Sequence, residues 1–227
     1  MQRRNFTSGL VSVGGLWALG AHAADISEGD AALGVRAALE RGAVAAVGLL
    51  GRNGGFLDNP KVRIELPGYL KEAAKVLKYT GQQRRVDELV TAMNRAAEAA
   101  VPEAKALLVN AVKAMSVEDG RQILSGGDNS ATQFFANKTR APLGIKFLPI
   151  VTRATEKVSL ADKYNKVAGQ VASLGLVSKD ESNIQSYITG KALDGLYLMI
   201  GEEERKIRKD PVGTGSAILK KVFGSLR

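Results

Sequence analysis

Residues 192–201 read ALDGLYLMIG, and Asp194 is the only charged residue in this stretch. A helix that is apolar on every side belongs in the interior of a domain, because a surface helix needs a polar face. We therefore expect the stretch to lie at the centre of a helical domain. It should form part of a long helix from about Ser182 to Lys209 that ends before Pro211.

Asp194 is a candidate ligand-binding residue within this central helix, and its position decides its chemistry. If its carboxylate is buried, it must pair with a cation or accept several hydrogen bonds, since an isolated buried charge is strongly unfavourable. Arg63 is the candidate partner in that case. The alternative places Asp194 at the surface beside Lys191 or Arg205, where an ion pair contributes little. The sequence leaves both arrangements open.

Helical periodicity continues on both sides of the central stretch. Apolar spacing and capping residues predict an all-α fold, an irregular multi-helix bundle of about eight to ten helices with essentially no β-sheet. The predicted helices cover about 27–50, 68–80, 83–100, 102–115, a short segment from Ser116 to Gly126, a segment starting at Asp128 or Ser130, 143–157, 160–174, 182–209 and 216–223. Ser116 with Asp119 is predicted to cap the short segment.

The longest irregular stretch is GFLDNPKVRIELP, residues 55–67. Apolar residues at 62, 64 and 66 alternate with charged residues at 61, 63 and 65, which is typical of an extended segment. Because no second strand is predicted, we interpret this stretch as an ordered loop. Its polar residues Asp58, Asn59 and Arg63 are candidates for binding a ligand.

Residues 93–105 read MNRAAEAAVPEAK and place Asn94 and Glu98 one helical turn apart. Pro102 cannot donate to the carbonyl of Glu98, so the helix either kinks or restarts there. An amide oxygen, a carboxylate and a free carbonyl together suit a hard cation such as calcium. One carboxylate is few for calcium, so we favour hydrogen bonds from both side chains to a neighbouring helix and predict no metal site. Like the polar residues of the loop, Asn94 and Glu98 are candidates for binding a ligand.

The run EEERKIRKD, residues 202–210, contains favourable i,i+4 pairs between Glu202 and Lys206 and between Glu204 and Arg208. Such a run is typical of a solvated helix end. The alternative is a basic docking edge, formed by Lys206, Arg208, Lys209, Lys220 and Lys221.

Residues 1–23 have the features of an export signal. Arg3 and Arg4 precede a short apolar core, and residues 21–23 (AHA) fit the cleavage rule. We therefore predict a periplasmic protein whose residues 24–227 form a single all-helical domain. General secretion is the expected route, and residues 2–6 (QRRNF) keep the twin-arginine route as the alternative.

Cleavage would remove the only histidine, His22, and the chain has no cysteine. The remaining chain lacks the residue types of most nucleophile–base pairs and transition-metal sites, so we predict no cofactor and name no catalytic residue. Its formal net charge falls from +9 to +7, which favours an anionic envelope component as partner. Export argues against nucleic acid, and no segment is long enough for a transmembrane helix. The oligomeric state is left open.

Four blocks of the sequence together indicate a resemblance to a known family. Their residues are 55–67, 93–105, 123–139 (ILSGGDNSATQFFANKT) and 191–211 (KALDGLYLMIGEEERKIRKDP). The chain resembles a bacterial family of exported, all-helical proteins classed only as a domain of unknown function. The resemblance implies a periplasmic or envelope-associated protein and brings no functional residue with it.

Three functions follow as hypotheses. The first is a non-enzymatic binding or scaffolding protein of the cell envelope. The second is a hydrolase of a cell-wall or lipid substrate, using a Ser–Lys pair or two carboxylates. The third is a carrier of a small apolar ligand between helices. The carboxylates available to the second are Glu98, Glu103, Asp119, Asp128 and Asp194.

Overall fold

The computed structural model describes residues 28–68, 70, 71, 83–156, 162 and 183–210, and these contain helices and loops but no strand. The helices are α1 (Glu28–Leu50), α2 (Gln83–Ala100), a 3-10 turn (Val101–Glu103), α3 (Ala104–Lys113), α4 (Val117–Ser125), α5 (Ser130–Glu156) and α6 (Ile184–Lys209). The all-α prediction is confirmed. The count of eight to ten is not confirmed, because the segments predicted at 68–80, 160–174 and 216–223 fall mostly outside the described residues.

Helix α6 is the central element, as the apolar stretch predicts. It packs against α5, α1 and α2, and its buried residues run from Ile184 to Ile207. Within 192–201, only Asp194 and Leu198 are exposed. A helix surrounded on three sides must be apolar on three sides, which explains the composition of this stretch.

Helix α5 corrects the prediction of two separate helices, because it continues through Pro142 and Pro149. Each proline leaves the carbonyl four residues earlier without a donor. Those carbonyls belong to Lys138 and Ile145, whose side chains are both exposed, so water can bind them. Buried residues recur every four positions on the other side of the helix and hold it against its neighbours: Ala131, Phe135, Thr139, Leu143, Phe147, Val151 and Thr155.

Two other local predictions are confirmed. Pro102 interrupts the helical pattern, and the 3-10 turn separates α2 from α3. Ser116 and Asp119 form the predicted capping box of α4. Hydrogen bonds from the Ser116 backbone amide and hydroxyl lower the pKa of Asp119.

The start predicted for the first helix at Ser27 lies outside the described residues. No described helix has both the length and the hydropathy needed to cross a bilayer.

Candidate functional site

A tightly folded loop, residues 51–67, follows α1. Gly54 has a φ of 82°, in the left-handed region that favours glycine. A side chain at Gly55 would collide with the carbonyl oxygens of Leu49 and Leu50 at the end of α1. The two glycines therefore let the chain reverse directly over the helix that it has just left.

In the second half of this loop, buried and exposed residues alternate, as the sequence pattern predicts. Val62, Ile64 and Leu66 are buried, and the charged residues between them are exposed. Asn94 supplies the backbone partner that a second strand would supply in a sheet. Its Oδ1 accepts from the Ile64 amide at 2.8 Å, and its Nδ2 donates to the Ile64 carbonyl at 2.9 Å.

Glu98 holds the first half of the same loop. Its Oε1 accepts from the backbone amides of Phe56 at 3.0 Å and Leu57 at 3.1 Å. Its Oε2 accepts from Arg95 Nη1 at 2.6 Å. The prediction that Asn94 and Glu98 bind a neighbouring helix is therefore wrong, because their long-range partners belong to the loop.

The loop packs against helix α6 at Gly195. An added Cβ there would lie 2.7 Å from Cε1 of Phe56 and 3.3 Å from Cβ of Val62. Phe56 is fully buried, so its ring has no free space into which to move. The absence of a side chain at position 195 is what allows loop and helix to approach so closely.

Gly195→Ala should lower the free energy of unfolding by about 1–3 kcal/mol relative to Gly190→Ala, since overpacking a filled contact has that effect. Gly190 lies on the same helix with no atom near its missing Cβ, so there alanine should stabilise the helix by up to about 1 kcal/mol. Urea unfolding of the two variants measures the difference. Equal stabilities would show that the loop does not pack on Gly195 as described.

The loop and α6 enclose a polar groove of about 500 Å³, which we call the loop–helix groove. It is lined by loop residues 61–68, Lys71 and, on α6, Tyr187, Lys191, Asp194, Gly195 and Leu198. The two walls run antiparallel. Lys61 contacts Glu202 at one end, and the Tyr187 hydroxyl donates to the Glu65 carbonyl at 2.9 Å at the other.

Cations dominate the groove. Lys61 pairs with Glu202 at 2.7 Å and Arg63 with Glu65 at 2.9 Å, whereas Lys191 lies 3.8 Å from Asp194. Lys71 has no ion-pair partner within the described part of the chain. The hydrogen bond from Lys61 lowers the pKa of Glu202, so this acid is ionised at neutral pH.

The structure separates the predicted site residues into three places. Arg63 and Asp194 line the loop–helix groove, whereas Asn94 and Glu98 lie buried behind the loop. Asp58 and Asn59 are not part of the groove. Asn59 instead stabilises the turn that precedes the groove residues. Its Oδ1 accepts a hydrogen bond from the Lys61 amide at 3.1 Å.

The buried ion pair proposed between Asp194 and Arg63 is wrong. Asp194 is exposed and contacts Arg140 Nη2 at 2.6 Å, with Lys191 as its weaker partner. Arg63 instead donates to Glu65 and to the Leu57 carbonyl. Asp194 escapes burial because its position on α6 faces the groove rather than the core.

Sequence reasoning missed Lys61, Lys71 and Tyr187 as groove residues. The alternation of residues 61–66 already indicates that Lys61 is exposed beside Arg63, so this lysine could have been found. The contribution of Tyr187 depends on a contact between residues 122 positions apart, and no local pattern shows it.

A second buried carboxylate, Glu204, corrects the prediction of a solvated helix end. It accepts from the first-turn amides of α5, Ala131 at 3.1 Å and Thr132 at 3.0 Å. Arg208 pairs with it at 2.9 Å, as its i,i+4 spacing predicts, but both side chains are largely buried. Arg208 also donates to the Ile123 carbonyl of α4, so the pair joins three helices.

The other pair predicted in this run does not form. Glu202 pairs with Lys61 across the groove, and Lys206 pairs with Glu203 at 2.6 Å. Burial of Arg208 also removes one cation from the alternative docking edge. Lys220 and Lys221 of that edge lie outside the described residues.

The chemistry of the remaining candidates is limited by their contacts. Both oxygens of Glu98 accept hydrogen bonds within the fold, and Asp119 belongs to the capping box. No group of three His, Cys, Asp or Glu side chains suited to a metal ion occurs in the described ranges. An apolar cavity bordered by Leu39, Phe135 and Ile200 measures about 20 Å³, room for about one water.

Comparison with known proteins gave one family. A family model described as "Protein of unknown function (DUF4197)" matches residues 25–224. Comparisons with curated proteins and with solved structures gave no match. Since the match covers most of the sequence, the chain belongs to the DUF4197 family of proteins of unknown function.

Proposed function

We propose that this protein is a non-enzymatic binding or scaffolding protein that binds an anionic component of the cell envelope in the loop–helix groove. The observation that carries the proposal is the placement of Lys61, Arg63, Lys71 and Lys191 on one groove. Their charges agree with the basic balance of the whole chain.

The groove is also a stable place for a ligand. Asn94 fixes both backbone groups of Ile64, and Glu98 fixes the amides of Phe56 and Leu57. The wall that carries Lys61 and Arg63 is therefore preorganised, which lowers the entropy lost on binding.

The proposal includes a periplasmic location for the protein. It depends on the signal features of residues 1–23, and the family match, which begins at residue 25, agrees with a mature chain that starts at Ala24. Intact-mass measurement of protein recovered from the periplasm tests this part, because a retained leader would contradict it.

Salt-sensitive anion binding is the expected result. The purified protein should bind at least one of three probes at low ionic strength: phosphatidylglycerol vesicles, orthophosphate or long-chain inorganic polyphosphate. Lys71→Glu with Lys191→Glu should weaken this binding at least about tenfold. Exposed charges interact only within about a Debye length, so these two charges act directly on a ligand in the groove. Titration calorimetry and vesicle co-sedimentation measure it.

The matched control is Lys105→Glu with Lys113→Glu, which changes the same charge on α3, away from the groove. It should leave binding nearly unchanged. Absence of salt-sensitive binding to all three probes, or equal loss in both double variants, would contradict the proposed function.

The structure provides less support for the two alternatives. A hydrolase that uses two carboxylates needs both in one recess. Glu98 is engaged by the loop and Asp119 by the capping box, and Glu103, Asp128 and Asp194 are exposed. A carrier of a small apolar ligand needs more space than the cavity of about 20 Å³ beside α6 provides.

A further inference from the structure

We infer that the loop–helix groove takes a linear polyanion, a chain with a negative charge on each repeat, rather than a single compact anion. This inference rests on the proposed function and specifies the ligand of the same groove. Its basis is the distribution of cations along the groove, together with the occupation of the backbone sites that compact anions use.

The cations are spread along the groove instead of surrounding one point. Lys61 contacts Glu202 on α6, and Lys191 lies eleven residues earlier on the same helix. At 1.5 Å per residue, these two levels of α6 are about 16 Å apart. Arg63 lies between them on the loop, and Lys71 continues the chain beyond Glu65 toward the Tyr187 end.

The internal counter-ions of the groove leave its cations available. The side chains of Lys61 and Arg63 are 57% and 41% exposed, and the Lys191 ammonium is 3.8 Å from its acid. Exposed pairs of this kind contribute at most about 1 kcal/mol. A ligand with several charges can therefore replace each counter-ion in turn at small cost.

Compact anions are usually held by successive backbone amides at a helix N-terminus or in a nest. Carboxylates of the protein already fill two such places in the described part of the chain. Glu98 occupies the amides of Phe56 and Leu57, and Glu204 occupies those at the start of α5. The groove offers separate lysine charges, which suit repeated charges on a chain.

A recessed track also favours a chain over a flat lipid surface. The groove lies between the loop wall and α6, with the buried Val62, Ile64 and Leu66 among the residues that line it. A single strand-like ligand can enter such a recess and contact both walls, whereas a planar array of headgroups reaches only the rim.

Dependence of binding on chain length tests the inference. Orthophosphate, tripolyphosphate and long-chain polyphosphate are titrated into the full mature chain at low and high salt, with phosphatidylglycerol vesicles in parallel. Affinity per molecule should rise at least about tenfold once a chain is long enough to span both ends of the groove, because the second contact becomes intramolecular.

Lys61→Gln removes the cation at the Glu202 end of the groove and should abolish most of this gain. Lys191→Gln serves as a second variant from the opposite end, and Lys105→Gln on α3 is the matched control. Circular dichroism and urea unfolding confirm that each variant folds.

Each result then has one meaning. Equal affinity for orthophosphate and long polyphosphate, or binding to vesicles alone, overturns the polyanion inference and leaves the proposed function standing. The same holds if Lys105→Gln removes the length dependence as Lys61→Gln does. No salt-sensitive binding to any probe overturns both.

Discussion

Glu98→Ala should lower the free energy of unfolding by about 3–5 kcal/mol. The substitution leaves the amides of Phe56 and Leu57 without an acceptor, and each unsatisfied buried amide costs about 1–3 kcal/mol. Phe56 is fully buried, so water cannot readily replace the lost carboxylate at its amide. Chemical denaturation with circular dichroism detection measures the change.

Glu88→Ala is the matched control for this prediction, because Glu88 lies on the same helix and its side chain is 52% exposed. Glu88 forms a surface ion pair with Arg84, so the control should change stability by less than about 1 kcal/mol. Hydrogen exchange at Phe56 and Leu57 should accelerate only in the Glu98 variant. A loss in Glu98→Ala no larger than that of the control would contradict the role of Glu98.

Glu204→Ala should lower the free energy of unfolding by a similar amount, about 3–5 kcal/mol, for a different reason. Arg208 has only 16% of its side chain exposed, and removal of Glu204 leaves this charge buried without its partner. The amides of Ala131 and Thr132 lose their acceptor as well. Thermal and urea unfolding measure the effect.

A double-mutant cycle makes this prediction sharper. Glu204→Ala combined with Arg208→Ala should cost less than the sum of the single changes, because the buried charge is then removed with its partner. Asp194→Ala, on the same helix but 51% exposed, should cost no more than about 1 kcal/mol. Additive single changes would show that Glu204 and Arg208 do not act as a pair.

Local patterns in the sequence predict the elements that neighbouring residues determine. The apolar stretch at 192–201 predicts the buried centre of α6, and the alternation at 61–66 predicts which residues of the loop are buried. Ser116 and Asp119 form their capping box because both partners lie within one turn. In each case the physical cause acts over a few residues, so it is visible in the sequence.

The partners of the buried polar side chains could not be predicted in this way. Asn94 meets Ile64 across 30 residues, Glu98 meets Phe56 across 42, and Glu204 meets Ala131 across 73. A helical pattern shows only that a carboxylate is present, not which amides face it after folding. The sequence therefore predicts hydrogen bonds from Asn94 and Glu98 to a neighbouring helix, whereas in the folded chain both side chains bind the backbone of the loop.

The sequence did not predict that α5 is one continuous helix, and the reason is related. Proline is unfavourable inside a helix, and two of them justify expecting a break. Their cost depends on whether the freed carbonyls reach solvent and on how firmly the opposite side is packed. Both conditions are set by tertiary structure, and both are met at Pro142 and Pro149.

The pairing of Asn94 with Ile64 has a consequence for self-association. An extended segment with free main-chain groups can template the addition of a strand from another molecule, which is how aggregation often begins. Here a side chain from α2 covers the Ile64 groups, and the Tyr187 hydroxyl covers the Glu65 carbonyl. A strand from another copy of the protein therefore finds no free main-chain partner at Ile64 or at the Glu65 carbonyl.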